Sequence, residues 1–89
     1  MGDKIQYTNI KAENKVFTVI IVHQFVIDNS IESEKAVDAY QDVFPQRDIV
    51  LMAQDAFGAP GYYGDPELIR IFMNLDKDQI QWKIYCIPN

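Results

Sequence analysis

The chain predicts an α+β domain whose elements run β-α-β-β-α-β, with two helices packed on one face of a four-stranded sheet. Three observations predict it. Lys15 to Ile27 is dense in β-branched and aromatic residues, two later segments carry apolar residues at helical spacing behind clear start signals, and Gln79 to Ile87 alternates apolar with polar.

Residues 1–14 are mixed and polar, with Ile5, Tyr7 and Asn9 on one alternation and Gln6, Thr8 and Ile10 on the other. That weak pattern marks an extra N-terminal edge strand, set apart from a single α+β domain over residues 15–89. The first firm strand spans Val16 to Ile27, apolar on its odd positions (Phe17, Val19, Ile21, Phe25, Ile27) and on its even ones (Val16, Ile20, Val22, Val26). A strand apolar on both faces belongs in the middle of a sheet.

Asp28-Asn29-Ser30 supplies acceptors for free helix-start N–H groups, and Asn29 with Glu32 has capping-box spacing. Ala36, Val37, Tyr40, Val43 and Phe44 then form one helical stripe, which Pro45 ends. Ile49 to Ala53 is nearly continuous apolar sequence, as in a buried strand following a helix. Next comes a turn rich in glycine and a short aromatic strand at Tyr62-Tyr63, which looks like an edge. Asp65-Pro66-Glu67 is a strong helix start, followed by Leu68, Ile71, Phe72 and Leu75 at i, i+3, i+4 and i+7. In the last strand Ile80, Trp82, Ile84 and Cys86 share the inferred core face, opposite Gln81, Lys83 and Tyr85. This order is the split βαβ, or ferredoxin-like, plan.

Eighty-nine residues, 48% hydrophobic and 24% charged, are one ordinary globular unit. Eight Lys and Arg against 13 Asp and Glu give a net charge of −5, which repels a phosphate backbone and disfavours nucleic-acid partners. A single cysteine, Cys86, supports neither an internal disulfide nor a zinc site, and its core-face position reads as inert packing. The start of the chain has no signal-peptide pattern, and no apolar run, Val19 to Val22 and Ile49 to Ala53 included, approaches the ~20 residues of a membrane span. A cytoplasmic protein, not associated with membrane, is expected.

No motif in the chain specifies a reaction, and no metal or cofactor is expected. Gly58, Gly61 and Gly64 are spaced GxxGxxG, unlike phosphate-cradling loops, and Asp65 would occupy the helix start where an anion would sit. Asp76-Lys77-Asp78 lacks the glycine and the closing glutamate of a calcium loop. The acidic series Asp28, Glu32, Glu34, Asp38, Asp42 and Asp48 reads as a solvated face. His23, the only histidine, sits within the most apolar strand and reads as a hydrogen-bonded structural residue ahead of a general base.

Two functional readings follow. In the first, favoured here, the protein is a non-catalytic module that associates with itself or a protein partner. An apolar strand with helices over only one face leaves the other to be covered, the C-terminal strand offers an edge, and Val22→Glu is expected to disrupt assembly. In the second it is a small-molecule-binding protein or modest enzyme with its site at the Gln54 to Tyr63 turn. There Asp55 would be acid or base, Tyr62 and Tyr63 donors, Phe57 and Gln54 part of the lining, and His23 a neighbour.

Overall fold

A computed structural model of the chain describes residues 3–54, 60–76, 78 and 80–87. Five strands, β1 (Asp3–Ala12), β2 (Lys15–Ile21), β3 (Asp48–Gln54), β4 (Pro60–Tyr63) and β5 (Lys83–Ile87), form one mixed sheet in the order β4-β3-β2-β1-β5. Three helices complete the α+β fold: α1 (Gln24–Asp28), α2 (Ser30–Val43) and α3 (Pro66–Met73). The β2–β3 pair is parallel and the other three pairs are antiparallel.

This sheet differs from the four-stranded ferredoxin-like plan in strand number, order and helix placement. The N-terminal segment is a ten-residue strand, and it lies inside the sheet, not at its edge. Local geometry accounts for this. Glu13 (φ 50°) and Asn14 (φ 64°) make a two-residue turn with both φ values positive, the hairpin geometry that matches strand twist, so β1 pairs with β2 from Ala12↔Lys15 to Gln6↔Ile21. With that side of β2 occupied, the C-terminal strand pairs with β1 instead.

The helices lie on opposite faces of the sheet, which corrects the expectation that both share one. Ile5, Ile20, Ile49 and Leu51 form a core with Val22, Val26, Ala36, Val37, Tyr40 and Phe44 on the α2 side. Ile10, Phe17, Val19 and Val50 form the other with Leu68, Ile71 and Phe72 of α3. A central strand apolar on both faces needs cover on both, and one helix pair reaches only one of them. The face expected to await a partner is therefore already covered within the chain, and Val22 packs inside the α2-side core.

The firm strand is also shorter than its composition suggests. The Val22 N–H donates to the Met52 carbonyl, but the chain then turns at His23 and residues 24–28 form α1, with Gln24 Nε2 donating to Asp28 Oδ1 across one turn. Val26 and Ile27 bury onto the α2-side core from this turn while Phe25 is left exposed, so burial overrides their strand preference. The two longer helices start as their sequences predict. Asn29 Oδ1 accepts from the N–H groups of Ile31 and Glu32, and Asp65 Oδ1 accepts from that of Glu67, with Pro66 at the first turn.

The final strand begins only at Lys83. Ile80 and Trp82 precede it as irregular chain packed on the α3-side core, and the Thr8 hydroxyl donates to the Gln81 carbonyl at 2.9 Å. Ile84 and Cys86 pair with Gln6 and Lys4 beyond the cluster that α3 covers. Both are exposed, which corrects their assignment to the core.

Candidate functional site

The structure does not assemble the residues singled out around the Gln54 to Tyr63 turn. Gln54 ends β3 opposite Pro60, and Asp55 and Phe57 lie outside the described residues. Tyr62 and Tyr63 are consecutive on β4, so they take opposite faces of the sheet. The Tyr62 ring meets Phe72 edge-on at 6.1 Å in the α3-side core, while Tyr63 pairs with Leu51 and packs on the α2 side. A sheet separates the two rings, and they are not a pair of donors.

Burial raises the Tyr62 phenol above its ordinary value near 10, because the ionised form is the one that loses hydration. A proton held more tightly in the folded chain contributes stability that is complete below pH ~10 and is lost as pH rises through the raised folded value. Urea unfolding at pH 9 and pH 11 should therefore show a larger alkaline loss in the wild-type protein than in Tyr62→Phe, whose ring keeps the Phe72 contact. Equal losses would count against a buried phenol.

His23 stands just past the end of β2, exposed, with its ring stacked at 6.1 Å on that of Phe25. Here β2 departs from β1, since their ladder ends at Gln6↔Ile21, and a crevice of about 280 Å³ opens between Lys4 and Ile5 on one side and Ile21, Val22 and His23 on the other. Val26, Ala36 and Tyr40 complete its lining from α1 and α2. The crevice lies past the carboxyl end of β2, on its β1 side. Sequence reasoning singled out His23 but missed Lys4 and Tyr40. Tyr40 carried only its helix-stripe signal, and Lys4 comes near it through β1 pairing that the weak N-terminal alternation did not specify.

A second cavity, of about 340 Å³, lies where β5 has not yet begun, between Thr8 to Lys11 of β1 and Leu75, Asp76, Ile80 and Gln81. Within its lining the Thr8 hydroxyl donates to the Gln81 carbonyl. Among the described residues no three His, Cys, Asp or Glu side chains converge on one point, and no helix is long and apolar enough to cross a membrane.

The sheet's two edges differ. At one end β4 is four residues long and begins with Pro60, a short strand that offers little to pair with. At the other, β5 has no proline, and it exposes Ile84 (68%) and Tyr85 (38%) together with Cys86. Compared with family models, with curated proteins and with solved structures, the chain matches none.

Proposed function

We propose that the protein is a non-catalytic α+β module that works by self-association, with β5 of one copy pairing antiparallel to β5 of a second so that two sheets become one. The exposed apolar edge carries this reading: a strand at a sheet edge has unpaired N–H and C=O groups, and its complement is another extended strand. Helices cover both faces of the sheet's centre, so the edge is the route by which it can grow. A second copy fits it well. Pairing about a two-fold axis at Tyr85 sets Ile84 opposite Cys86 and Lys83 opposite Ile87, so no like charges stand directly opposite and Ile84 gains an apolar cross-strand neighbour. On its inner side the Tyr85 ring meets Phe44, at the end of α2, edge-on at 6.0 Å. We place this work in the cytoplasm, where a single exposed thiol such as Cys86 is kept reduced.

Native mass spectrometry and sedimentation equilibrium at micromolar concentration should report a dimer. Ile84→Lys should weaken it more than about tenfold, because it sets a charge where an apolar contact forms. Ile84→Cys tests the register separately. Under mild oxidation it should cross-link to Cys86 of the partner subunit, since those positions face each other only in the Tyr85-centred pairing. A monomer at these concentrations overturns self-association, whereas a dimer that resists Ile84→Lys and does not cross-link overturns the β5 contact.

A further inference from the structure

We infer that the crevice at the end of β2 binds a small uncharged amide with an apolar body, held by the backbone of Lys4. In a hairpin closed by two residues the flanking pair, here Ala12↔Lys15, exchanges both hydrogen bonds, and such pairs recur at every second position. The even-numbered residues of β1 therefore turn their N–H and C=O groups toward β2 as far as Gln6↔Ile21, and those of Lys4 come next. The Val22 N–H, which donates to the Met52 carbonyl on the β3 side, fits the same alternation. His23 would stand opposite Lys4, but its carbonyl accepts from the Val26 N–H as the chain enters α1. The crevice is the gap this leaves. On its α2 side Ile5, Val22, Val26 and Ala36 form an apolar wall, while the Lys4 side chain follows Gln6 and Thr8 to the opposite face of the sheet. A backbone donor and acceptor thus stand side by side in an apolar setting. A carboxamide or lactam presents the complementary acceptor and donor and carries no charge to desolvate. A carboxylate presents acceptors alone and would set one against the Lys4 carbonyl. The volume of about 280 Å³ lies at the small end of ligand sites, which limits the body to one ring or a short chain.

Titration of the full chain, followed by backbone amide NMR shifts, uses three probes: benzamide, N,N-dimethylbenzamide and benzoate. Benzamide should produce saturable shifts centred on Lys4, Val22, Val26 and Ala36, with the other two probes at least about tenfold weaker. Lys4→Pro removes the N–H that faces the crevice and none that pairs with β5, since Asp3, Ile5 and Tyr7 make those bonds. It should weaken benzamide by about tenfold. Lys4→Gln keeps the backbone and changes only a side chain on the other face, so it should bind benzamide within about twofold of the wild-type protein. Ala36→Leu should abolish binding by filling the wall. The probe series and Ala36→Leu test the site whether or not Lys4→Pro folds. N,N-dimethylbenzamide or benzoate binding as tightly as benzamide would overturn the amide selectivity. Unchanged binding in Lys4→Pro, or an equal loss in Lys4→Gln, would overturn the backbone contact, and shifts that do not saturate, or that persist in Ala36→Leu, would overturn the site.

Discussion

Phe72→Ala is expected to lower the unfolding free energy by about 3–5 kcal/mol, the cost of truncating a fully buried aromatic ring. Phe72 is fully buried and faces two other rings edge-on, Tyr62 of β4 at 6.1 Å and Trp82 of the chain before β5 at 6.3 Å. It thereby joins three segments that are distant in sequence: the short edge strand, α3 and the irregular stretch that leads to the C-terminal strand. Aromatic pairs of this kind contribute about 0.5–1.5 kcal/mol beyond their area burial, so the loss should fall toward the upper part of the range. Against a typical total of about 5–15 kcal/mol this is a large fraction. Urea unfolding at neutral pH, with fluorescence of Trp82 as one probe and circular dichroism as the other, measures it. A loss below about 1 kcal/mol would mean that the α3-side core closes without Phe72.

Gly64→Ala should cost about 1–3 kcal/mol, through a different cause. Gly64 has φ +149°, a conformation that L side chains rarely adopt, at the point where β4 hands over to the Asp65 cap. A Cβ there would lie 3.3 Å from the Ile49 carbonyl oxygen and 3.4 Å from the Val50 Cα, both backbone atoms of the sheet's interior that cannot turn aside. Gly61→Ala is the control. Its Cβ would meet Ile27 Cγ2 at 3.2 Å and Gln24 Nε2 at 3.5 Å, side-chain atoms able to move, and its backbone needs no positive φ. The same urea titration should show Gly64→Ala as clearly the more destabilised of the two, and equal effects would remove backbone strain as the explanation.

Ion pairs will not substitute for either loss. The β1–β2 turn is tied to α3 by Arg70 with Glu13 at 3.3 Å and Lys15 with Glu67 at 3.9 Å, but all four side chains are about half exposed. Exposed pairs of this sort are worth about 0–1 kcal/mol each. They orient α3 over the hairpin, while buried apolar area holds it there.

What was legible in the chain follows the range over which each signal acts. The Asn29 and Asp65 caps, the α2 and α3 stripes, β3, and the central place of β2 were all readable, because each depends on residues within a few positions of one another. α1 was misread as strand because Val26 and Ile27 favour a pleated surface, and only the core they pack against shows that a helical turn buries them. Of the six site residues inferred, His23 does line a crevice, but its neighbours there were not foreseen; Tyr62 and Tyr63 separate because alternation along a strand divides adjacent residues between faces.

By itself, then, the sequence determined the α+β class, most of the elements and their caps, and an acidic chain without a recognisable catalytic motif. Only the tertiary structure decided that β1 sits between β2 and β5, that helices cover both faces, and that Ile84 and Cys86 end up on an open edge. The physical reason is that periodicity states which side of an element is apolar but not what will cover it. Cover is settled by competition among distant segments. The two-residue turn at Glu13 and Asn14 brings β1 to β2 at little cost in loop closure, and the C-terminal strand takes the edge that remains.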